Sequence, residues 1–190
     1  MPILLACKFL TILPIPLPAD VPPKTWGRAV AWYPLVGLAL GLLLAGADWL
    51  LGRALPPLLQ SALVLALWVL LTGALHLDGF LDCCDGLLAP VPPERRLEIL
   101  RDVHTGSFAV VGGVLLLLVK FAALSALMGP VRVWALVSVP VLARWAMSYA
   151  VVCYPYARSQ GLGGLAKQSA GGRELIIAST VALAVAVAVW

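Results

Sequence analysis

The chain has 190 residues, of which 62% are hydrophobic and only 12% charged, and its mean hydropathy is +1.01. That is about half the charge of an ordinary soluble domain, so the composition excludes one and reads as a single integral membrane domain over 1–190. The formal charge of +4 comes from basic residues scattered singly, with neither a basic stripe nor an aromatic stacking platform, which excludes a nucleic-acid partner and leaves membrane lipid.

In chain order, Pro2 to Leu17 is apolar but interrupted by Lys8 and followed by prolines. It is too short for a span and has no small-residue cleavage site, so it reads as an interfacial or re-entrant segment. The first span is Val30 to Leu51, where Gly37 and Gly41 stand four apart, a spacing that lets another helix approach closely. Asp48, near its end, is expected to pair locally or to reach the interface. Arg53 and Pro56-Pro57 make a turn, and a second span, Leu58 to Leu75, runs into an acidic stretch, His76 to Gly86.

Pro90 to His104 fits an amphipathic helix, with Leu97 and Leu100 on its apolar side and most of its charges solvated. Ser107 to Leu127 is the third span, with Lys120 inside, and Val133 to Val152 the fourth, with Arg144 inside. Gly161, Gly163 and Gly164 read as a flexible loop. A last apolar run covers Leu175 to Trp190. The expected fold is therefore all-α: a polytopic transmembrane helical bundle with about five spanning helices plus the N-terminal interfacial segment. With the N-terminus inside, the inner segments carry nine basic residues (Lys8, Lys24, Arg28, Arg95, Arg96, Arg101, Arg158, Lys167, Arg173) and the outer turns two, Arg53 and Arg132. The bias puts the acidic stretch at the cytoplasmic face of the membrane. The four cysteines, Cys7, Cys83, Cys84 and Cys153, have no zinc-type spacing and no disulfide framework, and Cys83 and Cys84, between two of the aspartates, read as small packing residues in a reduced compartment.

The acidic stretch holds three of the nine acidic residues. Asp78, Asp82 and Asp85 are spaced four and then three apart, so on a helix they lie within roughly 60° of one another. Bare carboxylates there would repel by about 4 kcal/mol per pair at 4 Å and an effective dielectric near 20. All-oxygen ligands favour a hard divalent ion, Mg²⁺. Lys120 and Arg144, within spans, need anionic partners: either they pair with the aspartates or they line a cavity and grip substrate phosphates. His76 stands two residues before Asp78, close in sequence but off the aspartate face, a candidate base or ligand. Arg101, Asp102 and Gly106 are the better candidates from the polar segment, and Arg158 is either a phosphate contact or a positive-inside anchor. Such a set suits phosphoryl or alkyl-diphosphate chemistry.

The string His76-Leu77-Asp78-Gly79-Phe80-Leu81-Asp82-Cys83-Cys84-Asp85-Gly86 resembles the signature of the cobalamin synthase family, the adenosylcobinamide-GDP ribazoletransferases. Further pieces follow in the family's order: Phe9-Leu10-Thr11, Tyr33-Pro34-Leu35-Val36-Gly37, Glu98-Ile99-Leu100-Arg101-Asp102, Gly106-Ser107-Phe108, Lys120, Arg144 and Tyr156-Ala157-Arg158. The resemblance covers about residues 6 to 175. It implies a Mg²⁺-dependent transferase of the inner (cytoplasmic) membrane that joins adenosylcobinamide-GDP to α-ribazole or its 5′-phosphate and releases GMP. Asp78, Asp82 and Asp85 would hold the metal and act in catalysis, with one of them or His76 taking the hydroxyl proton. Arg101, Lys120, Arg144 and Arg158 would hold the diphosphate, and Asp102 would orient Arg101 or assist the metal.

His104 stands where many members have Arg. The family continues through further apolar helices and an acidic Gly-Asp motif, so the chain reads as C-terminally truncated. The resemblance leaves room for a homo-oligomer or for contacts with other cobalamin-pathway enzymes. The competing readings are a CDP-alcohol phosphotransferase, which carries an Ala-Arg pair lacking after Asp78; a prenyltransferase, which has two separated Asp-rich motifs; and a divalent-cation transporter, which places its carboxylates at mid-membrane within repeats.

Overall fold

A computed structural model describes residues 1–100, 102, 104–157 and 161–189. Arg101 and Arg158 lie outside the described residues. The described residues form ten helices and no strand: α1 Pro2–Leu10, α2 Pro23–Val30, α3 Tyr33–Leu51, α4 Pro57–Leu71, α5 Leu75–Leu88, α6 Pro93–Ile99, α7 Ser107–Ala126, α8 Gly129–Cys153, α9 Leu162–Ser169 and α10 Gly172–Val189. Helices α3, α7, α8 and α10 are long and apolar enough to cross a membrane, and the α4–α5 pair makes a fifth if its two pieces form one bent span. The chain is the polytopic helical bundle that its composition predicts.

The centre of the bundle is the pair α3 and α8. Gly37 and Gly41 explain their close approach. A Cβ on Gly37 would lie 2.5 Å from the Pro140 carbonyl oxygen, and one on Gly41 would lie 2.8 Å from that of Leu136. Pro140 has no N–H, so it leaves the Leu136 carbonyl without its helical donor; this acceptor faces the bare glycine. Around this pair, Leu44, Val64, Leu124 and Leu136 bring α3, α4, α7 and α8 into one core, and α10 joins through Ala182 and Val185. A separate core at the other end gathers Leu5, Leu10, Val30, Tyr33 and Ala166, so α1, α2 and α9 cap the start of α3. Helix α1 is thus half sunk, with Leu5, Ala6 and Leu10 buried.

Four expectations need correction. The span from Val30 breaks at Ala31–Trp32, and α3 begins at Tyr33 with Pro34 in its first turn, where the missing N–H costs nothing. The Gly161–Gly164 stretch is not a loop throughout: Gly163 and Gly164 open α9 and lie against the ring of Tyr156. Arg132 is no outer-turn residue, and Asp48 does not pair locally. The two are buried and joined across 84 positions, Arg132 Nε donating to both Asp48 oxygens at 3.0 Å and Nη2 to Oδ1 at 2.6 Å. Arg132 Nη1 donates to Ser61 Oγ and the Leu124 carbonyl, and Gln60 Nε2 donates to Asp48 Oδ1 at 2.8 Å. The knot ties α3, α4, α7 and α8 at the end where α3 and α7 finish and α4 and α8 start.

The fourth correction concerns the acidic stretch. α4 does not continue into it. The chain turns at Thr72–Ala74, with Gly73 at φ +58° and Ala74 at φ +56°, and α5 leaves α4 at 87°. A left-handed alanine is uncommon. It is held in place because Ala74 N–H bonds back to the Val69 carbonyl, and the Leu71 carbonyl accepts the N–H of Ile12.

Candidate active site

Helix α5 is helical through all three aspartates, so the four-and-three spacing does set them on one side. That side forms a wall of a cavity of about 180 Å³ that Asp78, Asp82, Asp85, Asp102, His104 and Thr105 line together with Leu81, Ile99, Leu100 and Ala109. The cavity lies between α5, α6 and the start of α7, the end of the bundle remote from the Asp48–Arg132 knot. Helix α7 comes close because its glycines allow it: a Cβ on Gly112 would lie 2.4 Å from Cys84 Sγ, and one on Gly113 2.7 Å from Leu81. Cys84 is accordingly buried, and all four cysteines are free thiols.

The carboxylates play unequal parts. Asp85 Oδ2 accepts the N–H of Gly106 at 2.7 Å, and Oδ1 accepts that of Ala109 at 2.9 Å. It caps the N-terminus of α7 from another helix, satisfying orphan donors and favourably placed in the helix dipole. Its two oxygens keep only their remaining lone pairs for other partners. Asp102 accepts from the backbone N–H of His104 at 3.0 Å and lies 2.6 Å from its Nδ1, and this hydrogen bonding holds its carboxyl below the usual range. Asp78 is exposed in the first turn of α5, and Asp82 is half-buried one turn on.

Four carboxylates and no lysine or arginine line this cavity among the described residues. The donor chemistry fits a hard divalent cation. The positions are less drawn in: among the described residues no three His, Cys, Asp or Glu side chains stand close enough to grip an ion.

The other predicted residues lie elsewhere. His76, Lys120 and Arg144 line a second cavity, of about 270 Å³, between α4, α5, α7 and α8. It shares no lining residue with the first. Adjacent residues of α5 divide between them: Leu77 belongs to the second and Asp78 to the first. Among the described residues neither Lys120 nor Arg144 forms an ion pair with an aspartate. Lys120 Nζ sits 4.8 Å over the ring of Trp68, and His76 Nε2 stands 3.1 Å from Met147 Sδ. Of the two fates open to these cations, lining a cavity is the one found.

Sequence reasoning passed over Thr105 and Ala109 on the first cavity and Trp68 and Thr72 on the second. For Trp68 no signal exists, since 52 positions separate it from the lysine it meets. For Ala109 a signal was present: a glycine followed by a span start, facing a wall of aspartates.

The comparisons with known proteins place the chain in a family. The model of the family described as Cobalamin-5-phosphate synthase matches residues 2–190. The chain belongs to that family. Among curated relatives, a protein of Stutzerimonas stutzeri is 47% identical over 185 residues, covering 96% of this chain and 75% of the relative. One of Desulfitobacterium hafniense is 43% identical over 166 residues, covering 84% and 64%. One of Synechococcus is 40% identical over 179 residues, covering 94% and 69%. Each is named adenosylcobinamide-GDP ribazoletransferase. The chain thus spans about two thirds to three quarters of the length of these cobalamin-5-phosphate synthase relatives. No solved structure matches it.

Proposed function

We propose that the chain is an adenosylcobinamide-GDP ribazoletransferase like the relatives so named, and further that it joins adenosylcobinamide-GDP to α-ribazole or α-ribazole 5′-phosphate with release of GMP, with Mg²⁺ as cofactor, at the cytoplasmic face of the inner membrane. The observation that carries the reading is the wall of Asp78, Asp82, Asp85 and Asp102 in a chain of this family. The topology agrees with the placement. The Asp48–Arg132 knot removes Arg132 from the outer-turn count, which leaves Arg53 there against nine basic residues in the inner segments.

In this reading Asp78, Asp82 and Asp102 would hold the ion, and Asp85 would offer it the lone pairs that Gly106 and Ala109 leave. When bound, the ion neutralises phosphate charge. A hydroxyl oxygen of the ribazole forms a bond to the phosphorus that bears the cobinamide; the bond from that phosphorus to the bridging oxygen breaks, and GMP leaves with that oxygen. The hydroxyl proton passes to a carboxylate of the wall. Asp85 fixes the start of α7 and so the position of Thr105 and Ala109 opposite the aspartates. The hydrogen bond from the His104 backbone N–H fixes the orientation of the Asp102 carboxylate. Arg101, beside Asp102 in sequence, and Arg158 are the candidates for the diphosphate. Lys120, Arg144 and His76 belong to a different cavity and are left out of this step.

Release of GMP from adenosylcobinamide-GDP plus α-ribazole by membranes bearing the chain tests the reading. Wild-type membranes should release it, and Asp78→Ala should reduce the rate by a hundredfold or more, on the order of what one electrostatic group contributes. No release by wild type, or undiminished release by the variant, refutes it.

A further inference from the structure

The second cavity holds charge that the transfer reaction does not use. Arg144 is 3% exposed, and its Nε and Nη2 atoms are buried with no hydrogen-bond partner. So is His76 Nδ1. A buried guanidinium normally finds an acceptor for each of its donors, as Arg132 does in the same helix. Among the described residues no acidic one lines the cavity to serve Arg144. The second cation, Lys120, sits over the aromatic face of Trp68 and forms no ion pair among the described residues. Thr72, also on the wall, spends its hydroxyl on the carbonyls of Trp68 and Val69. The rest of the lining is aliphatic: Leu65, Val69, Leu116, Leu117 and Val139 among others. Lys120, Val139 and Ala143 are exposed, so the cavity opens on the outer side of the bundle, between helices apolar enough to face lipid.

We propose that this cavity binds a phosphate ester with an apolar body, its phosphate held by Arg144, Lys120 and His76 and its body lying along the aliphatic wall. The geometry points to phosphate because a tetrahedral anion meets three separate donors at once, whereas a planar carboxylate is filled by one arginine fork. The aliphatic wall and the lateral opening account for the apolar part. Such a ligand has two sources, the headgroup of a membrane phospholipid or a soluble phosphate ester. The site is separate from the carboxylate wall, and its occupation does not depend on which reaction occurs there.

The test is binding, measured by calorimetry on the full chain purified and delipidated in a neutral maltoside detergent. The probes are dioctanoyl phosphatidic acid, glycerol 3-phosphate and octanoate. Tryptophan fluorescence gives a second readout, because Trp68 lines the site; Trp68→Phe should remove the change. Either phosphate probe should bind, and octanoate should not. Binding of the lipid alone identifies a phospholipid, and binding of glycerol phosphate identifies a soluble ester. Arg144→Gln should weaken binding about ten- to a hundredfold, the loss expected for hydrogen bonds to a charged group. Lys120→Gln should weaken it several-fold, and Arg53→Gln, on neither cavity, should leave it unchanged. Ala143→Leu narrows the cavity without touching its charge and should weaken binding as well; it decides the matter if Arg144→Gln fails to fold. Absence of binding by folded wild type, equal binding of octanoate, or unaltered binding in both Arg144→Gln and Ala143→Leu overturns the proposal.

Discussion

Replacing Arg132 with methionine removes the only charged partner of Asp48 among the described residues. The aspartate is 5% exposed, and both its oxygens face the guanidinium at 2.6–3.0 Å. Arg132→Met leaves that carboxylate buried with Gln60 Nε2 as its remaining side-chain donor. Breaking a buried pair from one side costs about 3–5 kcal/mol, because the other charge is stranded. That is roughly a fifth or more of the stability of a typical domain. Asp48→Leu strands the arginine instead and should cost a similar amount, about 3–5 kcal/mol. The double variant strands neither. It loses the Ser61 and Leu124 contacts and one Gln60 bond, about 1.5–4.5 kcal/mol together. The two single costs should therefore exceed the double by several kcal/mol, far beyond the ~0.5 kcal/mol within which independent sites add. Dodecyl sulfate titration in mixed micelles, followed by far-UV circular dichroism, reads all four proteins. Single variants that each cost less than about 1 kcal/mol, or costs that simply add in the double, would show that the pair does not tie the four helices.

Asp85→Ala should cost about 1–2 kcal/mol by uncapping α7 and speed amide exchange at Gly106 and Ala109, while Asp85→Asn, which keeps one acceptor, should lose less; unchanged exchange in both would deny the cap. On α3, Gly37→Ala should destabilise by about 1–3 kcal/mol, since its Cβ would strike backbone of α8, whereas Gly46→Ala, with nothing within 4 Å, should be neutral or slightly stabilising; equal effects at the two sites would falsify the packing argument. Chelation of divalent ions should abolish GMP release and added Mg²⁺ restore it, with Asp78→Asn needing more Mg²⁺ for half-maximal rate. Release indifferent to the chelator would remove the metal from the reaction.

The spans were legible because hydropathy over some twenty residues is a sum, insensitive to any one position. Close approach at Gly37 and Gly41 was legible too, since a spacing of four fixes a helix face whatever partner meets it. The common side of Asp78, Asp82 and Asp85 follows from the same geometry. What could not be read is everything that depends on distant chain. Asp48 shows no sign of Arg132, 84 residues away. Asp85 resembles its neighbours in sequence, yet its oxygens are engaged by Gly106 and Ala109. The assignment of Lys120 and Arg144 to a cavity of their own depends on where α7 and α8 lie against α5. The bend before α5 is hidden for another reason: Thr72-Gly73-Ala74 contains no proline, and a left-handed alanine leaves no mark in composition.

That bend separates two kinds of change in the chain. α4 packs along α3 and α7, so its length of about 22 Å fixes how far along the bundle the chain has travelled when it turns. α5 then runs crosswise. Deleting a residue from α4 would shift the whole acidic helix by about 1.5 Å along α4 and swing it by about 100° around that axis, with all its carboxylates still together. Deleting one within α5 would leave the level alone and rotate the following residues by about 100°, taking Asp82 and Asp85 off their wall while Asp78 stays. Where the acidic helix lies and which way it runs are thus set by α4, while the common side of its carboxylates is set within α5 alone.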